Sequence, residues 1–564
     1  MRPFAQLLGL TAIIPSAFVQ AAPYMDAVAD LSPRQTCEFD SATDPSCWGE
    51  YSLSTNFYEE VPDTGVVREY WLEIGDGVLA PDGVERAVMT VNGTIPGPTL
   101  TADWGDTFVI HIHNTLENNG TSLHWHGLRQ NFTNQADGVA SITQCPIAPG
   151  DTATYTFRAT QYGTTWYHSH FSVQSWDGVF GGMIINGPAS APYDEDKGVI
   201  LLTDWFHNTV SSLFDAAAAS GPQTANNGLI NGLNVFDDGG SRFETSFTSG
   251  DTYRLRLVNT AIDTHFRFGI DNHTLTVIAV DLVPIEPYTT DVVSIAIAQR
   301  IDVVVTADQD PGNYWMRAIP QLTCSANDNT LNIKGIVTYD DIEVADPTTT
   351  APTPIDDCND EPLASIIPVV SIDAGDSSTL AEFDVGLAVA DGILKWTIND
   401  NAFLATWGNP TLQKVLDPTS TYDVAENIIR VNESNAWTYL VIESQLGVAH
   451  PIHLHGHDFF ILAQETAATF SDSSALNLSN PPRRDVAMLP AAGYIVMAFQ
   501  NDNPGVWLVH CHIGWHTTLG LALQIIERES DIAGITDSDA LDETCTNWNA
   551  YQDAQGIIQN DDGI

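Results

Sequence analysis

Residues 104–114 read WGDTFVIHIHN, and two further stretches share that opening, PGDTATYTFRA at 149–159 and SGDTYRLRLVN at 249–259. In each, a Gly-Asp pair makes a turn and the following residues alternate between two faces, as Tyr253, Leu255 and Leu257 do against Arg254 and Arg256. Short β-branched and aromatic runs of this kind recur along most of the chain. They predict an all-β protein made of antiparallel β-sandwiches. Helical periodicity is confined to SSLFDAAAAS at 211–220 and to the C-terminal tail.

Composition marks the boundaries. INGPASAPYDEDKG at 185–198 is a Gly/Pro/Asp connector, and ADPTTTAPTPIDDCNDEP at 345–362 is a Pro/Thr/Asp linker. The expected organisation is a first domain over 35–190, a second over 191–345, a linker over 346–362 and a third over 363–564. Residues 1–21 combine a basic Arg2, an apolar core and a small-residue cleavage signature ending at Ala21, and read as a secretory signal peptide. No later stretch is long and apolar enough to span a bilayer. The mature chain is therefore expected to be secreted and extracellular.

Acidic residues number 72 against 20 basic ones, a formal charge of −52. Nucleic acid and anionic membranes would repel such a chain, so neither is an expected partner, and a soluble monomer is expected. Six N-x-Ser/Thr sequons, at Asn92, Asn119, Asn131, Asn272, Asn432 and Asn477, agree with passage through a glycosylating pathway.

Seven cysteines leave one unpaired if the other six form disulfides. Cys511, wedged between His510 and His512, is the natural odd thiol. Several pairings of the rest are possible; proximity along the chain suggests Cys37 with Cys47 and Cys324 with Cys358, leaving Cys145 for Cys545.

The histidines carry the chemistry. The first part contains HWHG (His124, His126) and WYHSH (His168, His170); the last contains HPIHLHGHDF (His450, His453, His455, His457) and HCHIGWH (His510, His512, His516). The middle part has strands but no His-x-His. On an extended chain, residues i and i+2 share a face, so each pair is a two-pronged metal ligand. His111 and His113 have the same spacing, but an isolated pair on a β-strand is more often incidental. Neutral imidazole suits copper, zinc, iron and nickel alike. At 510–512 the alternation is more specific, because the two histidines face one way and the Cys511 sulfur the other. One Cys with two His and a weak axial position is the blue-copper pattern. A closed zinc site would leave most of these histidines unexplained.

The four motifs, in this order, resemble the copper signatures of multicopper oxidases, and within that family the secreted fungal laccases of the ascomycete type. The likeness runs from about Cys37 to the C-terminus and includes NGTIPGP, QYGTTWYHSHFS, INGPAS, NPPRRD and DNPG. It implies three consecutive cupredoxin-like Greek-key β-sandwich domains and four copper ions. It assigns His450, Cys511 and His516 to a type 1 copper, His124 and His453 to type 2, and His126, His168 and His512 with His170, His455 and His510 to the type 3 pair. His457 stays outside. The axial position of type 1 falls on Leu521, which has no lone pair to donate, so a comparatively oxidising site is expected.

The same resemblance implies one-electron oxidation of phenols and other small aromatics, coupled to reduction of O₂ to water. Asp137, in NQADGVASITQCP, matches an acid near the oxygen-reducing cluster, and Asp263, in RLVNTAIDTHF, matches an acid that accepts the phenolic proton. Asp263 comes from the middle part, which would give the metal-free domain the task of walling the substrate cleft. Trp515 and Trp396 join His516 as expected pocket residues. The closing DDGI, 561–564, resembles the family's C-terminal plug with Asp562 in place of the usual Ser. Oxidation of ferrous iron or ascorbate, and a non-enzymatic copper-binding role, are the competing readings.

Overall fold

All three Gly-Asp turns lead into strands, Thr107–Asn114, Thr152–Arg158 and Thr252–Asn259. Each turn glycine adopts positive φ, 95° at Gly105, 88° at Gly150 and 95° at Gly250, where a side chain would be strained. The first strand then buries Phe108, Ile110 and Ile112 on one face. Its other face carries His111, which stacks 4.0 Å from Trp71 and lies 3.1 Å from Glu69.

The computed structural model describes residues 37–340, 342–351, 355–390, 392–471 and 475–564. The signal peptide read in 1–21, and residues 35 and 36 of the first expected domain, lie outside them. Six sheets of four to six strands follow one another in pairs along the chain. The first pair lies within residues 67–186, the second within 195–339 and the third within 377–527, giving three cupredoxin-like sandwiches. They are not purely antiparallel. Every one of these six sheets contains one parallel pair, such as Val67–Leu79 with Thr107–Asn114 and Ser377–Ala390 with Trp437–Ser444. A hairpin cannot join parallel neighbours, so Greek-key crossovers between the two sheets supply them. Both helical stretches form, as Val210–Ser220 and Ser538–Gln555.

Disulfides join Cys37 to Cys47, Cys145 to Cys545 and Cys324 to Cys358, and Cys511 is the free, buried thiol. The second bond ties the C-terminal helix to the first sandwich. The 346–362 linker ends in acids that bind both flanking sandwiches: Asp360 accepts from Gln299 at 2.5 Å and from the Met488 backbone N–H at 2.8 Å. No helix among the described residues is long and apolar enough to cross a membrane.

Candidate metal centre

Four short strands bring the histidines together. Leu123–Trp125 and Gly163–Ser169 are neighbours in one sheet of the first sandwich, and His450–Leu454 and Gly505–Cys511 are neighbours in one sheet of the third. Pairing sets His124 opposite His168 and His453 opposite His510. The period of two aims each His-x-His pair at the space between the two sandwiches.

Two clusters result. In the first, His450 Nδ1 lies 3.2 Å from His516 Nδ1, and Cys511 Sγ lies 3.7 and 3.6 Å from them. Donors held about 2.0–2.3 Å from one ion would form a triangle of this size. In the second, His126, His168 and His512 have ring centroids 5.0–5.7 Å apart, and His170, His455 and His510 are 5.2–5.3 Å apart. His124 and His453 lie 5.9 Å from each other between them.

The imidazoles are prepared as ligands. Burial pushes His450 and His510 down to about 3, and His126, His168, His170, His453, His455, His512 and His516 well below the ordinary imidazole range. Neutral rings with a free lone pair are what metal binding needs. One ring nitrogen is often fixed by an acceptor: His124 Nδ1 donates to the Asp137 carbonyl at 2.8 Å, His453 Nδ1 to the Asp485 carbonyl at 2.7 Å, and His168 Nδ1 to the Ser169 carbonyl at 2.9 Å. Their Nε2 atoms are buried without any partner. That orphaned set fits metal ions and fits nothing else the chain offers. At Cys511 burial pushes the thiol up, so only an adjoining cation would hold a thiolate there.

Two carboxylates organise the larger cluster. Asp137 Oδ2 accepts from His455 Nδ1 at 2.9 Å, while its Oδ1 lies 3.2 Å from His124 Nδ1. Asp485, the last residue of NPPRRD, lies 3.2 Å from His126 Nε2 and is paired with Arg300. Burial raises the Asp485 carboxyl to about 6 in spite of that arginine. Nothing local in the sequence marks the Asp485 carboxylate, since His126 and Arg300 lie 359 and 185 residues away. His457 is explained outside the cluster, 3.0 Å from the buried Glu527 carboxylate.

The tail reaches the same place. Ile564 lines a small cavity with His168, His170, His510 and His512. Asp562, the departure from the usual plug, is buried; its Oδ2 accepts the Gly520 N–H at 2.7 Å, and its carbonyl accepts the Ala405 N–H at 2.8 Å. Ser141 Oγ donates to the Gly563 carbonyl at 2.6 Å.

Family models described as multicopper oxidase match residues 73–190, 196–341 and 397–531, together most of the chain and all three sandwiches. The chain belongs to the multicopper oxidases. It is 49% identical to Laccase-2 of Botryotinia fuckeliana over 98% of both chains. The crystal structure of the laccase from Botrytis aclada superposes with a TM-score of 0.91 at 51% identity, covering 93% of this chain and 99% of that one. Fet3p, a multicopper oxidase that functions in iron import, is more distant, with a TM-score of 0.76 at 28% identity over 88% and 97%.

As a multicopper oxidase the protein carries four copper ions, one of type 1, one of type 2 and two of type 3. Asp485→Ala takes the acceptor from His126 and the nearer of two carboxylates from Arg300, which keeps Asp281 at 3.5 Å. Copper affinity should fall about 10–100-fold, and stability by about 1–3 kcal/mol. Copper content after dialysis and a thermal melt measure the two effects. Unchanged values of both would remove Asp485 from the site.

At the smaller cluster, His516 lines a cavity of about 270 Å³ with Trp396, Trp515, Leu387, Leu394 and Leu446 among others. Trp396 lies 4.2 Å from the His516 ring and 4.9 Å from His450. Asp263 is not among the lining residues. It is buried, on a segment whose Ile262 carbonyl accepts the Gly514 N–H at 2.9 Å, one residue before Trp515 of the wall. Burial, then the nearby Asp204 charge, raises its carboxyl to about 8. Asp204, also unmarked in sequence, accepts the backbone N–H groups of Ile262, Asp263 and Thr264 at 3.0–3.1 Å and holds this segment in place.

Proposed function

We propose that this multicopper oxidase is a laccase, taking single electrons from phenols and related aromatics and reducing O₂ to water. Four copper ions together supply the four electrons that one O₂ requires. The observation that carries the reading is the cavity at His516: aromatic and aliphatic side chains line it, and none of its lining residues carries a carboxylate or a cation. Such a wall suits a phenol ring. Ferrous iron would need oxygen ligands there, and the ascorbate anion would need a cation.

In this reading His450, Cys511 and His516 hold the type 1 copper, His124 and His453 the type 2, and His126, His168, His512, His170, His455 and His510 the type 3 pair. His516 presents the buried site to the substrate. Peptide backbone joins Cys511 directly to His510 and His512, which gives the two sites a covalent connection. Asp263 takes the phenolic proton, and Asp137, whose carboxylate meets His455 and His124, is the acid beside the larger cluster. The signal-like 1–21 segment supports secretion.

Oxygen uptake on a panel of 2,6-dimethoxyphenol, Fe²⁺ and ascorbate tests the assignment. The phenol should turn over fastest; a stronger preference for Fe²⁺ would make the protein a ferroxidase. The apolar Leu521 predicts a further result. Its backbone is hydrogen-bonded to both Cys511 and His516, at 3.1 and 3.2 Å, so Leu521→Met should bring a sulfur donor to the type 1 copper and lower its potential. A redox titration showing an unchanged potential would contradict the axial assignment.

A further inference from the structure

The loop from His516 to Leu521 closes on itself beside the smaller cluster: the Leu521 N–H donates to the His516 carbonyl at 3.2 Å, and the Leu521 carbonyl accepts the Cys511 N–H at 3.1 Å. Neighbouring backbone holds its middle. The Leu519 carbonyl accepts the Trp396 N–H at 2.8 Å, and the Gly520 carbonyl accepts the Phe403 N–H at 3.0 Å. Trp396 also lies against the His516 ring in the wall of the aromatic cavity, so this loop joins that wall to the ligands of the smaller cluster.

One further grip on the loop comes from the C-terminal tail. The Gly520 N–H lies 3.1 Å from the Thr517 carbonyl and closer, at 2.7 Å, to Asp562 Oδ2. Gly520 has little room to give way, since its φ is 106° and a Cβ there would come within 2.8 Å of the Trp396 carbonyl. Asp562 is fixed in turn. Its carbonyl accepts the N–H of Ala405, two residues from Phe403, at 2.8 Å, and Ser141 Oγ donates to the following carbonyl, of Gly563, at 2.6 Å. Burial, then the adjoining Asp561, pushes the Asp562 carboxyl up. Burying such a group is costly, and its bond to Gly520 offsets part of the cost.

We propose that Asp562 is a positioning residue for the type 1 copper: by holding the Gly520 N–H it keeps the 516–521 loop closed and Leu521 in the axial position. The proposal rests on the type 1 ligand assignment above. Leu521 has no lone pair, so the axial side stays without a donor only while the loop keeps water out. A water admitted there would donate and lower the potential. The tail that enters the larger cluster through Ile564 thus also sets the smaller one through Asp562.

Holoenzymes carrying Asp562→Ala, Asp562→Asn and Ser141→Ala separate this role from a general loosening of the tail. In Asp562→Ala the equilibrium between the type 1 copper and a one-electron mediator should shift several-fold toward oxidised copper. Deuterium should enter the peptide that contains Gly520 about 2–10-fold faster, the range that one lost hydrogen bond gives. Asp562→Asn keeps an oxygen for the Gly520 N–H, and Ser141→Ala frees the tail only at Gly563; both should keep the parent's potential. If Asp562→Ala does not accumulate, Asp562→Ser, one bond shorter than the parent side chain, should shift the potential in the same direction. An unchanged potential in the Ala or Ser variant, or an equal shift in Ser141→Ala, would overturn the proposal and leave the ligand assignment standing. A parent without a blue type 1 signal would overturn the ligand assignment and the proposal with it.

Discussion

Cys511→Ser is expected to abolish the intense blue colour, to lower the copper content from four ions to three, and to reduce phenol turnover below about 1% of the parent, since even losses around a metal's ligands cost 10–100-fold. The sulfur is the only soft donor in its triangle, 3.6–3.7 Å from the two Nδ1 atoms. A serine oxygen is a harder donor and reaches less far. The eight histidines of the other cluster keep their own supports, including Asp137 and Asp485. The variant should therefore retain three copper ions and its melting behaviour. Loss of all four ions would show that the two sites are not separately built. Retention of the blue colour would show that Cys511 is not a ligand.

The second large effect concerns the proton. With its carboxyl raised to about 8 by burial and by Asp204, Asp263 is protonated in acid and can accept a phenolic proton only as pH rises toward that value. Phenol turnover should accordingly climb with pH along a limb set by this group. Positive charge at the type 1 site draws the limb toward lower pH. Asp263→Asn should remove the limb and slow phenols by about 10²-fold or more, the range of a general base. A dye that gives up an electron without a proton should be slowed little. Equal losses with phenol and dye, or a limb that persists in the variant, would take the proton-acceptor role from Asp263.

Much of this architecture is legible one residue at a time. The Gly-Asp turns mark strand starts because a glycine at positive φ followed by an acid is a local device, and the alternation after it depends on nothing distant. His-x-His is equally local, since strand geometry alone puts both rings on one face. What escapes sequence reading is what depends on distant partners. Asp485 becomes a support for His126 only because strands some 360 residues apart meet. Asp204 looks like any acid before an aromatic until three consecutive N–H groups converge on it. The parallel strand pairs are hidden for the same reason: alternation reports a face, and partner and direction come from crossovers. Asp562 is a further case, because a carboxyl in a buried tail makes sense only beside the Gly520 N–H that its Oδ2 accepts. Even the fourth histidine of HPIHLHGH, so close to the ligands, is directed by Glu527 at the far end of the sandwich.

In the proposed laccase one site accepts electrons singly and a second, joined to it through residues 510–512, delivers them together to oxygen. Phenol consumption and O₂ uptake measured in the same vessel, with a peroxide assay, test that claim most directly. Four phenols oxidised per O₂ with no peroxide is the predicted result; two per O₂ with a matching yield of hydrogen peroxide would contradict it.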